Sequence, residues 1–227
     1  MRVYGKNVFN ELDIKKIKKI YLSKSFRDEK TFQFLKEKGL KYVLTDAHIM
    51  DKMASNHQGI IIDIHEYNYG NLSDITGDEL ILMLDHLEDP HNFGAIIRCA
   101  EARGIKNIII PKDRSVSVNE TVMKVSSGAL VNVNIIMVNN LVNTIKTLKD
   151  QGYFIYAAEA DGENYQKVNY ADKKVLIIGS EGKGVSRLVK EVSDVIISIP
   201  MKGQINSLNA SVATGILLFG IGNKDGI

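Results

Sequence analysis

The sequence predicts an α/β protein in two parts, a small N-terminal α/β domain over residues 1–68 and a parallel-sheet domain over residues 78–227, joined by a linker at 69–77. Two observations predict this. From Glu79 onward, apolar runs alternate with longer helical segments: Leu80–Leu84, Ile108–Ile110, Ile135–Val138, Tyr153–Ala157, Val175–Ile178 and Val195–Ile199. Near-continuous Val, Ile and Leu strands separated by helices belong to a parallel sheet covered on both faces, and about 150 residues is a common domain size. Ahead of that pattern, Glu66–Gly77 loses all periodicity in a run of Gly, Asn and Ser, as a connecting segment does.

The N-terminal part reads as apolar Ile17–Leu22, a helix over Asp28–Lys38, a strand at Tyr42–Leu44, a second helix from Asp46 and a strand at Ile60–Ile64. Asp28 and Asp46 suit N-caps, and Gly39 suits a helix stop. In the C-terminal part, Phe93, Ile96, Ile97 and Ala100 form an i, i+3, i+4, i+7 stripe that packs a helix on the sheet. Ser207 suits the N-cap of a last helix, Leu208–Phe219, whose small residues Ala210, Ser211, Ala213, Thr214 and Gly215 admit a close neighbour.

The chain has 227 residues, 44% hydrophobic and 25% charged, which fits a globular protein with a sizeable core. No apolar run reaches the roughly 18–20 residues of a membrane span, and the N-terminus lacks a signal-peptide core, so the expected location is cytoplasmic. A single cysteine, Cys99, excludes an internal disulfide and reads as a small helix-packing residue. The five histidines lack ligand spacing, so no metal is expected.

The net charge of +2, taken alone, argues against a nucleic-acid partner. It is unevenly spread. Residues 1–72 hold 13 Lys and Arg against 9 Asp and Glu, and the remainder 16 against 18. Much of the excess lies in Asp13–Ile20, where Lys15, Lys16, Lys18 and Lys19 punctuate isoleucines. The plain reading is a solvated face; phosphate contact is the alternative.

Strands of a parallel sheet end on one edge, where ligands bind. Three strand exits here are polar: Asp85–Gly94, Gly179–Gly184 and Pro200–Asn209, with Pro90 and Pro200 in two of them and Pro111 ending another strand. On spacing alone Asn92 reads as a helix N-cap, and Arg98, about 9 Å further along the axis, as a solvated arginine able to reach back toward the same ligand. The glycines at 179, 182 and 184 make neither a Walker A loop nor a dinucleotide fingerprint. They leave a turn that lets a ligand approach the backbone, with Glu181 as its acid. Glu159 and Asp161 are paired carboxylates in sequence only: alternation puts both on one face of an extended segment, with nothing else to suggest glycosidase chemistry.

Together the three exits resemble the three motifs of the SpoU (TrmH) family of RNA ribose 2′-O-methyltransferases. They stand here as Asp89-Pro-His-Asn-Phe-Gly-Ala-Ile-Ile-Arg98, then Ala100–Gly104; Ile178-Gly-Ser-Glu-Gly-Lys-Gly184; and Ile199-Pro-Met201 with Ser207-Leu-Asn-Ala-Ser-Val-Ala213. Val3–Val8 and His57–Ile61 resemble the ends of the ribosomal-protein-L30e-like substrate-binding domain of RlmB-type members. The loop Lys202–Asn206 varies among relatives and says little.

The resemblance implies a SPOUT-class catalytic domain with a deep trefoil knot, one of the rare exceptions to unknotted topology, and a homodimer. It implies methyl transfer from S-adenosylmethionine to a ribose 2′-OH, without a metal. Carried over by motif, Asn92, Arg98, Glu181, Ser207 and Asn209 form the catalytic constellation, and Gly179, Ile199 and Leu208 touch the cofactor. The expected substrate is a guanosine of large-subunit (23S) rRNA. A tRNA ribose methyltransferase, a thiostrepton-resistance-like rRNA adenosine enzyme and a non-catalytic ribosome-assembly factor stay open as alternatives.

Overall fold

The computed structural model of the chain describes residues 2–6, 9, 12, 14–205 and 207–221. Asn7, Val8, Asp13 and Asn206, which fall within the segments singled out above, lie outside the described residues. The chain divides into two compact units, Met1–Asn68 and Tyr69–Ile227.

The first unit contains strands β1 (Arg2–Tyr4), β2 (Ile17–Ser23), β3 (Tyr42–Thr45) and β4 (Ile60–Ile64), with helices α1 (Glu29–Glu37) and α2 (Ala47–Met53). The sheet order is β1-β4-β2-β3, with β4 antiparallel to both neighbours and β2 parallel to β3. Ile60, Ile61 and Ile62 of β4 are fully buried, as are Ile20 and Leu22 of β2. The lysine run enters this sheet as a 3-10 turn at Ile14–Lys16 followed by β2. A register shift between Ile17 and Lys19 breaks strict alternation, so the consecutive Lys18 and Lys19 are both exposed. Aromatic rings lie beneath two of these cations: Lys16 Nζ is 5.6 Å from the Tyr67 ring centroid and Lys19 Nζ 4.9 Å from that of Tyr21.

Gly39 ends α1 as expected, with φ +63° and the bond from Leu40 N to Leu35 O that closes the last turn. Asp28 and Asp46 occupy the N-cap positions but make no side-chain cap bond. Their carboxylates pair instead with Lys6 (3.0 Å) and Lys24 (2.9 Å).

Asp63 ties three strands. It accepts from Arg2 Nε (2.8 Å), Arg2 Nη2 (3.2 Å) and the Tyr21 hydroxyl (3.0 Å). Burial pushes its carboxyl up, but the bonds from Arg2 and Tyr21 outweigh this and hold it below the ordinary carboxylate value. A depressed folded-state value stabilises above the unfolded carboxylate pKa and loses that stability as pH falls through the folded one. Asp63→Asn therefore lowers the thermal midpoint at pH 7, by roughly 1–2 kcal/mol of stability. The gap from the parent closes as melts are repeated from about pH 5 downward. A gap independent of pH would contradict this.

The second unit is a six-stranded, wholly parallel sheet of order β10-β8-β9-β5-β6-β7. Its strands are β5 (Leu80–Asp85), β6 (Asn107–Pro111), β7 (Asn134–Val138), β8 (Phe154–Asn164), β9 (Lys174–Gly179) and β10 (Val195–Ser198). The helices are α3 (Pro90–Ala102), α4 (Glu120–Val125), α5 (Leu141–Asp150), α6 (Arg187–Val192) and α7 (Ala210–Gly220). One sheet face, with Ile81, Met83, Ile109, Val175 and Ile177, packs on Ile145 and Leu148 of α5 and Val189 of α6. The buried face of α3 carries Phe93, Ile96, Ile97 and Ala100, the stripe read from the sequence. α7 lies against α3, where Arg103 Nε donates to Leu218 O (2.9 Å) and Gly215 admits the Cys99 sulfur. Cys99 thus sits at the contact between α3 and α7.

Three boundaries differ from expectation. β8 runs on to Asn164 because, past a register shift, its second half pairs with β10 (Ile197 with Glu163, Ser198 with Asn164). Residues 69–77 are not a free linker: Gly70 N donates to Ile135 O beside β7, Tyr69 Oη accepts from Val118 N, and Ile75 joins the core. The last helix begins at Ala210 with Asn209, not Ser207, as its N-cap, since Asn209 Oδ1 accepts from Ser211 N (2.9 Å) and Val212 N (3.3 Å).

The chain fills one side of the sheet with β6 and β7 and the other with β8, β9 and β10, so β5 and β9 lie together at the point where the order reverses. Ligands bind outside the carboxyl ends of strands at such a point.

Candidate functional site

At that crevice three segments meet through side chains. Asp89 caps α3 with Pro90 at the first helical position and accepts from His91 N (2.8 Å). Asn92 is therefore not the N-cap that spacing suggested. It lies inside the first turn, 7% exposed, where its Nδ2 donates to Glu181 Oε1 (2.7 Å) and its Oδ1 accepts from Asn209 Nδ2 (2.9 Å). Asn209 Nδ2 also donates to Glu181 Oε1 (2.7 Å), closing a triangle. The amide orientations follow from the network. Asn209 Oδ1 is committed to capping α7, so its NH2 faces the carboxylate, and Asn92 must then present its oxygen to Asn209.

The Gly179–Gly184 loop is shaped by its glycines. Gly182 and Gly184 hold φ of +80° and +66°, and Ser180 and Gly184 exchange backbone bonds (3.2 and 2.9 Å). A Cβ on Gly179 would collide with the backbone of Gly184 and Val185. Glu159 of β8 completes the turn by accepting from Val185 N. Nothing in the sequence links this carboxylate to the turn, because only the adjacency of β8 and β9 brings it to the loop.

Between this loop and the chain leading to α7 is a cavity of about 580 Å3, within the usual size of a small-molecule site. Gly179, Ile199 and Leu208 all line it, as do Glu181, Ser207 and Asn209. Its wall mixes backbone of the glycine turn with Ile178, Ile197, Ala213 and Leu217, a lining suited to a flat heterocycle with polar edges. Ser207 is exposed there and makes no hydrogen bond with the described residues.

Arg98 stands apart. It is exposed, forms no ion pair or hydrogen bond with the described residues, and does not line the cavity. Six residues of helix turn it about 120° from Asn92 around the α3 axis, so the two do not converge within one chain as spacing alone allowed. Among the described residues no group of His, Cys, Asp and Glu could hold a metal ion, and no helix is long and apolar enough to cross a membrane.

Gly179→Ala tests the turn. The colliding atoms are backbone and cannot rotate away, so the loop must open. The variant is expected to lose ligand binding in the 580 Å3 cavity while the far sheet face stays folded, read by calorimetry beside circular dichroism. Unchanged affinity would mean that the turn is not part of the binding wall.

Comparisons with known proteins agree on one family. The SpoU rRNA Methylase family profile matches residues 79–219, and that of the RNA 2′-O ribose methyltransferase substrate-binding domain matches residues 2–70. A Staphylococcus saprophyticus protein described as a TrmH-family tRNA/rRNA methyltransferase is 44% identical over 178 residues, covering 75% of this chain and 72% of its own. A Borreliella burgdorferi tRNA/rRNA methyltransferase is 39% identical over 89% of this chain and 96% of its own. The solved AdoMet-bound rRNA methyltransferase of Sinorhizobium meliloti superposes with a TM-score of 0.81 at 25% identity, covering 96% of this chain and 85% of that one. With both units matched, and with Asn92, Glu181 and Asn209 of the three motifs joined at one crevice, the chain belongs to the SpoU family of RNA methyltransferases.

Proposed function

We propose that the chain transfers a methyl group from S-adenosylmethionine to the ribose 2′-OH of a nucleotide, a guanosine, in 23S rRNA. The Asn92–Glu181–Asn209 triangle beside the glycine-walled cavity carries this reading. The cavity fits the cofactor: a Cβ at Gly179 would displace the wall, and Ile199 and Leu208 offer apolar contact. When bound, S-adenosylmethionine supplies a methyl already activated on a sulfonium.

The protein's part is alignment and charge. Asn92 and Asn209, locked to Glu181, fix the loops that wall the cavity, and Ser207 has a free hydroxyl at its rim for the sugar. Arg98, which does not line this chain's own cavity, serves the cavity of the second copy in the homodimer proposed below, where it stabilises the alkoxide developing at the 2′-oxygen, since a guanidinium stays protonated and serves poorly as a base. The exposed apolar residues Val212 (50%), Ile216 (36%) and Phe219 (39%) stand at i, i+4 and i+7 on α7. They support the homodimer, whose second copy covers this face. The Lys16 and Lys19 face with Tyr67 and Tyr21 in the first unit supplies cations and rings for RNA. An RNA substrate of this kind places the reaction in the cytoplasm, and the trefoil knot belongs to the same proposal.

Ribose-methylation mapping of cellular rRNA and tRNA, with and without the protein, is the test. One 2′-O-methyl group missing from a guanosine of 23S rRNA supports the full reading, and one missing from an adenosine supports the thiostrepton-resistance-like alternative. A loss confined to tRNA supports the second reading, a tRNA ribose methyltransferase, which the relatives' tRNA/rRNA descriptions leave open. No loss anywhere refutes ribose methylation.

A further inference from the structure

We infer a second RNA-contact site on this chain: a cavity at the exits of β5, β6 and β7 that takes an unpaired nucleobase of the substrate RNA, next to the reacting nucleotide. It rests on the RNA methyltransferase reading above. The cavity is about 450 Å3 and is separate from the cofactor cavity. Its floor is apolar, from Pro111, Leu141, Val142 and Val189, and its rim carries His86, Arg114, Arg187 and Asn139.

The rim is built. Asp85, 1% exposed, accepts from Ser186 N (2.6 Å) through one oxygen and faces His86 Nδ1 (2.5 Å) through the other. A carboxylate can only accept, so Nδ1 carries the hydrogen and the ring is fixed with Nε2 away from Asp85. Arg114 is exposed, with no hydrogen bond or ion pair to the described residues, and the Asn139 amide is likewise uncommitted. His86 and Arg114 both hold left-handed backbone (φ +56° and +52°), which limits the replacements these positions accept.

The occupant follows from charge and lining. Arg187 is held by Glu191 (2.6 Å), His86 by Asp85, and Asp113 shares the rim with Arg114, so the cavity is close to neutral. A phosphate has no use for an apolar floor and gains little from a neutral rim. A base has an apolar face to bury, polar edges for the Asn139 amide, and a π surface for imidazole and guanidinium stacking. Position agrees: His86 lines this cavity, while Leu87, Glu88 and Asp89 of the same loop line a neighbouring one with Ser180 and Glu181. A strand with its target ribose at Glu181 therefore passes this cavity within the same loop.

The test is methyl transfer to deproteinised total RNA from cells lacking the protein. Arg114→Asn and His86→Asn both tolerate left-handed backbone, and the second keeps a donor for Asp85. Each is expected to raise KM for RNA about tenfold, with kcat at saturating RNA and S-adenosylmethionine affinity unchanged. For His86→Asn at pH 8 the salt dependence of binding stays as in the parent. Ultraviolet crosslinking to 4-thiouridine-labelled RNA is expected to mark residues 112–118 or 139–146. Unchanged KM in both variants, or a shallower salt slope for His86→Asn, which marks a phosphate contact, overturns the nucleobase site. If the parent methylates no RNA, the function proposed above falls, and this assignment with it.

Discussion

Arg98→Ala is expected to lower kcat for methyl transfer by on the order of 10²–10³-fold, the usual cost of removing one group aimed at developing negative charge, and to leave S-adenosylmethionine affinity unchanged. The two effects separate because Arg98 contributes nothing to the cavity wall or to the Asn92–Glu181–Asn209 triangle. It is exposed on α3 without a partner among the described residues, so its removal opens no packing defect and melting is unaffected. Arg98→Lys keeps the charge but not the planar fork and restores only part of the rate. Turnover on RNA at saturating cofactor, beside calorimetric affinity for S-adenosylmethionine, decides it. Near-normal turnover in the alanine variant refutes the role, and a lost cofactor affinity would place Arg98 in the binding wall instead.

Arg98 also marks where sequence stops informing. Five of the six strands of the second unit are written in Val, Ile, Leu and Met runs, because strands buried on both faces tolerate little else, and the α3 stripe follows from helical period. Asp89-Pro90 is itself a helix-start signature, so the displacement of Asn92 into the first turn was readable. Convergence was not. Glu159 reaches Val185 only because β8 lies beside β9, and Asp85 reaches Ser186 across 101 residues of sequence. Strand order decides both, and apolar periodicity carries no strand order. The end of β8 is hidden for the same reason: Glu163 and Asn164 look like loop residues until β10 pairs alongside. Residues 69–77 have loop composition, and composition carries no sign of the bonds from Gly70 and Tyr69 or the burial of Ile75 that dock them.

Glu181→Ala is expected to weaken S-adenosylmethionine binding and turnover together, which distinguishes it from Arg98→Ala. Glu181 Oε1 accepts from Asn92 Nδ2 and Asn209 Nδ2, both at 2.7 Å, and from Ala210 N at 3.5 Å. One atom thus ties the segment after β5, the glycine turn after β9 and the start of α7. Deleting it leaves the buried Asn92 amide without its acceptor, at a cost of about 1–3 kcal/mol, or roughly tenfold to a hundredfold in affinity if the loops part to hydrate it. Glu181→Gln retains an acceptor oxygen but not the charge, and charge-assisted bonds are about twice as strong as neutral ones. Its loss of affinity should therefore fall between parent and alanine, with turnover falling in proportion. Titration calorimetry with S-adenosylmethionine and single-turnover methylation on the same preparations measure both. If Glu181→Gln instead keeps full cofactor affinity and loses turnover, the carboxylate acts by its charge at the reacting atoms, and the triangle is no more than its support.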